Sequence, residues 1–176
     1  MTTFDTLTQR NHDFAAHGFV AGLPLMPTMT AMIIGCADPR VDPAHLLGVH
    51  LGEALVIRNI GGRITPGTLQ MMAMLSTIAQ VEGMTPASDF NLIVLHHTDC
   101  GITRLTEKTD LLASYFGVGK EELPAKAVSD PRAAVAVDVA AIKAVPGLPA
   151  SWIVSGLVYD VETGLVEAVV PPHTLK

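Results

Sequence analysis

Positive charge is scarce in this chain. Lysine and arginine together number 11 of 176 residues, against 17 aspartates and glutamates, a formal charge of −6. No run clusters the Lys/Arg that phosphate contacts require, which argues against a general nucleic-acid binder. Aromatics make up only 5%, so aliphatic side chains and methionine must fill the core. Cysteines number two, too few for a disulfide framework, which makes a reducing cytoplasm the expected compartment. Residues 1–10 are polar and lack the apolar core of a secretory signal. No apolar run approaches the roughly 20 residues that span a bilayer. Repeats, low-complexity tracts and long linkers are also missing.

What remains is 49% hydrophobic, in a length suited to one domain. The expectation is a single domain over 1–176, with 1–27 as an N-terminal helix and arm. A helix is expected over 1–16, then an irregular stretch from Ala21 to Pro27. Ala31–Cys36 is a continuous apolar run, as in a strand buried on both faces. Ala54–Ile57, Phe90–Leu95 and Trp152–Val158 read alike, and Val166–Val170 reads as an antiparallel or edge strand after the turn Glu162-Thr163-Gly164. Between them lie helices. Thr65-Pro66 is a cap followed by a first-turn proline. The helix after it carries Met71, Met74, Leu75 and Ile78 on one side, with Leu69, Met72 and Ala73 beside them. Being apolar almost all round, it should be buried, with a subunit interface as one place for it. Ser129-Asp130-Pro131 starts another helix, with Val135, Val139 and Ile142 in step. Strands alternating with helices predict an α/β fold with a mostly parallel central sheet. Ligands of such sheets bind beyond the carboxyl ends of the strands, where Cys36, Arg58 and His97 fall.

Both cysteines stand beside residues that metal chemistry uses. Cys36 opens Cys36-Ala37-Asp38-Pro39-Arg40, and Cys100 closes His96-His97-Thr98-Asp99-Cys100. If the two runs are neighbouring strands, Cys36, His97 and Cys100 can meet. Two thiolates and an imidazole favour zinc and leave a fourth position open, as catalytic zinc sites do. The competing readings are a Cys36–Cys100 disulfide or two inert core thiols. His97-x-x-Cys100 lets one turn present two ligands. Cys36 comes from far away in sequence, unlike the paired ligands of a zinc finger. Asp38 has two options. It can pair with Arg40 and accept a hydrogen bond from water at the metal, or swing in as a fourth ligand. A bidentate guanidinium–carboxylate pair would hold it away. Asp130-Pro131-Arg132 repeats the triplet without a cysteine, where it only starts a helix.

Cys36-x-Asp38-x-Arg40, Arg58-Asn59-x-Gly61-Gly62 and His97-x-x-Cys100-Gly101, in this order and spacing, resemble the β-class carbonic anhydrases. His96-His97-Thr98-Asp99-Cys100-Gly101 resembles their compact bacterial branch, and the likeness covers roughly residues 28 to 170. It implies a parallel-centred α/β sheet in a homodimer or homotetramer. It implies one zinc ion per chain on Cys36, His97 and Cys100, and a catalytic pair of Asp38 and Arg40. The implied reaction is reversible hydration of carbon dioxide to bicarbonate. Carbonyl sulfide or carbon disulfide hydrolysis at the same zinc, or a non-catalytic zinc protein, are the alternatives. The chain departs from the family pattern at Pro39, which stiffens the Asp38–Arg40 link. Ile60 stands where a small residue is usual, so a tighter pocket is expected. Ile33 stands where members with a bicarbonate-sensing pocket carry tryptophan, so that regulation is not expected.

Other residues have plainer readings. His96 should face the opposite side of its strand from His97 and pack. Asp99 should cap the following turn, with orientation of His97 as the other option. Arg58 and Asn59 should brace the sheet end, and Gly61-Gly62 should let backbone approach the cleft. His12, His17, His45, His50 and His173 are expected at the surface.

Overall fold

A computed structural model describes residues 1–85 and 87–176. Five strands, β1 (Ala31–Cys36), β2 (Ala54–Asn59), β3 (Asn91–His97), β4 (Ile153–Tyr159) and β5 (Val166–Thr174), form one sheet in the order β2-β1-β3-β4-β5. The first four are parallel and β5 runs antiparallel to β4. The helices are α1 (Thr3–His17), α2 (Pro43–Leu47), α3 (Pro66–Val81), α4 (Thr109–Phe116) and α5 (Pro131–Lys143).

Local chemistry sets the helix starts. Thr65 caps α3 by accepting from the Thr68 amide, with Pro66 in the first turn. Asp130 caps α5 through the amides of Arg132 and Ala133, with Pro131 following. Both prolines sit where no amide is needed. Val135, Val139 and Ile142 of α5 are fully buried against Ile34, Leu92, Val94 and Val154 of the sheet. A second cluster gathers Cys36, Val41, Cys100, Ile102, Leu112 and Phe116 beneath α4.

Three expectations change. β2 is not buried on both faces: it is an edge strand, and Val56 is 39% exposed. An apolar run cannot reveal by itself whether its strand has one neighbour or two. Nor is α3 buried all round: Thr68, Met72 and Ala79 face the core, while Met71, Met74 and Ile78 are exposed in the single chain. β5 continues through Pro171 and Pro172, beyond the predicted end. An edge strand can carry prolines because their missing donors can fall on the unpaired side.

The strand order explains where a site can form. From β1 the chain moves to β2 on one side, then crosses back to β3 on the other. The order reverses between β1 and β3, and ligands of open α/β sheets bind at that crevice. The register sets Gly35 beside Leu95, so Cys36 and His97 end neighbouring strands at the reversal. An apolar cavity of about 350 Å³, lined by Met32, Leu55, Met72, Phe90 and Trp152, lies at the opposite end of the strands and takes no part in this site.

Candidate metal centre and its surroundings

Cys36, His97 and Cys100 meet, with their ligand atoms within 4.8 Å of one another and all three residues buried. The sulfurs are 3.8 Å apart and both thiols are free. A tetrahedral ion with Zn–S bonds of ~2.3 Å places its two sulfurs ~3.8 Å apart, so the pair already has the spacing of two corners of such a site. His97 supplies the second test. Its Nδ1–H donates to the Thr98 carbonyl at 2.8 Å, leaving Nε2 as the bare nitrogen. That nitrogen is buried and has no hydrogen-bond partner among the described residues. An orphaned acceptor beside two thiols is costly in a packed interior unless something binds it. The donor set suits zinc.

The thiols are not equivalent. Cys36 Sγ accepts the amides of Asp38 at 3.4 Å and Gly61 at 3.3 Å. The hydrogen bond from Cys100, joined by these amides, outweighs burial and pushes the Cys36 thiol down. Cys100, donating to that neighbour and buried beside its charge, is pushed up. Gly61 and Gly62, at φ +81° and +65°, carry their backbone across the β1–β3 crevice. A Cβ on Gly62 would sit 2.9 Å from the Leu95 carbonyl oxygen and 3.0 Å from the Gly35 carbonyl carbon, so no side chain fits there.

Asp38 is not among the three gathered residues. Its Oδ1 accepts the Arg40 backbone amide at 2.9 Å and Nε at 3.0 Å, and its Oδ2 accepts Nη2 at 2.8 Å. The hydrogen-bonded Arg40 guanidinium holds the carboxyl well below the usual carboxylate range. Of the two options for Asp38, pairing with Arg40 is therefore the one present.

Arg58 braces the sheet end as expected. It donates to the carbonyls of Cys36 and Asp38 and to Asp42 Oδ2. Asn59 ties the glycine loop through the Arg63 amide and carbonyl and through Thr68. Ile60 is half exposed and its carbonyl accepts from the Tyr115 hydroxyl, so its bulk meets solvent rather than narrowing a buried pocket.

Asp99 departs from its expected roles. Its carboxylate takes Nη1 of Arg40 at 2.9 Å and Nη2 of Arg104 at 2.8 Å, while the Thr98 carbonyl orients His97. His96 packs inward, buried 3.1 Å from Asp138 Oδ2, close but off the line of a good hydrogen bond. Asp138 on α5 also accepts Arg63 Nε at 2.6 Å. Arg63 in turn donates to the Lys126 carbonyl at 2.6 Å and lies 4.8 Å over the Phe116 ring. Sequence reasoning missed this buried cluster. Its one signal was Asp138 within an apolar helix face at i+3 from Val135. His12, His17, His45 and His50 are exposed and His173 is partly so.

The sequence profile described as "Carbonic anhydrase" matches residues 31–118. "Beta-carbonic anhydrase 1" of Mycobacterium tuberculosis is 31% identical over 177 residues, covering 97% of this chain and all of the relative. The solved carbonic anhydrase from Streptococcus mutans superposes with a TM-score of 0.71 at 31% identity, over 96% of this chain and 98% of its own. A carbon disulfide hydrolase of Saccharolobus solfataricus is 32% identical over 94 residues, 52% of this chain and 41% of its length. A profile that spans half the chain and a full-length relative with this identity agree with the fold and the gathered ligand set: the chain belongs to the β-class carbonic anhydrase family.

Proposed function

We propose that the protein catalyses reversible hydration of carbon dioxide to bicarbonate, with one zinc ion on Cys36, His97 and Cys100 and with Asp38 and Arg40 as the catalytic pair. The observation that carries the reading is the unpartnered Nε2 of His97 beside two thiols at tetrahedral spacing. Zinc in such a set supplies Lewis acidity and brings the ionisation of water toward neutral pH.

The chain's own residues do the rest. Nδ1–H of His97 on the Thr98 carbonyl fixes the tautomer, so Nε2 faces the metal position. Asp38 stays ionised against Arg40. A carboxylate oxygen has two acceptor sites, and Oδ2 has one donor on it from Arg40. Its remaining lone pair can accept a proton-bearing water and orient it toward the substrate carbon. Paired with Arg40 on both oxygens, Asp38 orients water, and the proton leaves to buffer.

Stopped-flow hydration on metal-quantified protein at about pH 8.5 tests this. Turnover proportional to zinc is expected. One zinc per chain without hydration would overturn the reading. The partial match to a carbon disulfide hydrolase supports a second reading, hydrolysis of carbon disulfide or carbonyl sulfide on the same zinc. Sulfide release in a parallel assay separates the two. The bidentate Asp38–Arg40 pair speaks against a non-catalytic role.

The working unit is proposed to be a homodimer or homotetramer of one domain over 1–176, with 1–27 as the helix and arm. None of α1 is buried, and Phe4, Leu7 and Phe14 are exposed, as are Met71, Met74 and Ile78 of α3. A second copy would cover such surface. The two free thiols suit a reducing cytoplasm. No described helix is long and apolar enough to cross a membrane.

A further inference from the structure

Arg40 is held from two sides. Nε and Nη2 face Asp38, within its own turn. Nη1 reaches Asp99 Oδ2 at 2.9 Å, and Nη2 also donates to the Asp99 backbone carbonyl at 3.0 Å. Asp99 sits between the ligands His97 and Cys100 at φ +50°. That left-handed backbone is uncommon for any residue with a Cβ, with aspartate and asparagine among the best tolerated there. Its carbonyl and its carboxylate both bond one guanidinium. Arg104 takes the other carboxylate oxygen at 2.8 Å and reaches toward the Cys100 carbonyl. Charges alternate along the chain of contacts, Asp38–Arg40–Asp99–Arg104.

The members of this chain are exposed except Asp38, and exposed ion pairs contribute little to stability. Its consequence is geometric. The backbone of Asp38 is held by its amide on Cys36 Sγ and by Arg58 on its carbonyl, but the paired side chains of Asp38 and Arg40, two residues apart on one loop, could still swing together. Asp99 comes from the other strand end, between His97, the last residue of β3, and Cys100. By fixing Arg40, it ties the position of Asp38 to the frame of the metal.

We propose that Asp99, steadied by Arg104, is a positioning residue that holds the Asp38–Arg40 pair in register with the metal and keeps Asp38 out of the fourth coordination position. The proposal rests on the zinc reading above.

The test is a cycle of Asp99→Asn and Asp99→Ala, each in the native background and with Asp38→Ala, on full-length metal-loaded protein. Misplacement of a catalytic group by about 1 Å can cost ~100-fold. The expected result is a kcat fall of about 10- to 100-fold in the native background, with one zinc per chain and an unchanged Tm. In the Asp38→Ala background, Asp99→Ala should change kcat by less than twofold, because its effect passes through Asp38. A merely structural role would act in both backgrounds. The cobalt-substituted protein gives a readout that does not depend on turnover. Asp99→Ala should alter the visible ligand-field spectrum, and should leave it unchanged once Asp38 is alanine. Asp99→Asn keeps the backbone preference and removes the charge, so it serves if the alanine variant folds badly. Equal losses in both backgrounds, or kcat and cobalt spectra unchanged by either substitution, would overturn the proposal. If native protein binds zinc but hydrates nothing, the functional reading fails while the cobalt cycle still decides the role of Asp99.

Discussion

Asp138 offers a demanding test of how the metal site is supported from behind. It is 2% exposed and paired at 2.6 Å with Arg63, which is 1% exposed. Replacing Asp138 with leucine leaves a guanidinium buried without its counter-charge. Removing one partner of a buried pair costs about 3–5 kcal/mol. For a chain of this size, 1 kcal/mol moves Tm by roughly 2–4 °C, so a fall of about 10 °C is expected, within a span of roughly 6–20 °C. Replacing Arg63 with methionine as well removes the stranded charge. Apolar replacement of a whole buried pair is often neutral or stabilising. Here His96 also loses its neighbour and the Lys126 carbonyl loses a donor, so a residual deficit of about 1–3 kcal/mol is expected. The assay is thermal and urea unfolding of Asp138→Leu, Arg63→Met and the double variant, at fixed protein and zinc concentration because both shift apparent stability. A loss below about 1 kcal/mol for Asp138→Leu would refute the reasoning. So would a double variant less stable than Asp138→Leu alone.

Other outcomes follow from the same geometry. Cys36→Ser should abolish stoichiometric zinc binding, read by metal analysis after dialysis; retention of one tight zinc would remove Cys36 from the ligand set. Asp38→Ala should keep zinc while cutting hydration by about 100-fold, the scale of losing the orientation of a reacting group; full turnover would exclude Asp38 from the mechanism. Gly62→Ala, forced against the Leu95 carbonyl in left-handed backbone, should cost about 2 kcal/mol or more, seen as a lowered urea midpoint; an unchanged midpoint would show that the crevice can open. Asp160 Oδ1 accepts the amides of Glu162 and Thr163 in the β4–β5 turn, which holds its carboxyl below the usual range. Its contribution is present above an unfolded-state pKa of about 3.9 and is lost as pH falls through the lower folded value. The Tm deficit of Asp160→Ala should therefore be full at pH 7 and narrow as pH falls below the unfolded-state value of about 3.9; a constant deficit would contradict this.

Much of the fold was legible because buried parallel strands are written as unbroken apolar runs. Ala31–Cys36 matched to the residue, and the other strands differed at their ends. β3 runs on to His97 and β2 to Asn59, because polar residues at strand tips keep the ladder while breaking the hydrophobic pattern. The caps at Thr65 and Asp130 were local signals and held. The metal ligands were legible from their types and spacing. The charged pairs around them were less so. Asp99 meets Arg40 across 59 positions of sequence, and Arg63 meets Asp138 across 75. Pairings of that kind depend on which helix covers which strands, and local pattern carries no information about it. α2 and α4 were missed because five and eight residues give too few turns for a periodicity to emerge.

The register between β1 and β3 has a consequence for how the protein acquires its ion. In a zinc finger, binding and folding are a single event, and a chelator unfolds the domain. Here the β1–β3 ladder sets Cys36 and His97 at the ends of neighbouring strands, over a core built of apolar side chains such as Ile34, Leu92 and Val94, so the fold does not rest on the ion alone. Loading should then be exchange at a folded site rather than an assembly step. Stripping the ion should leave a folded receptor that takes up a different divalent ion without renaturation.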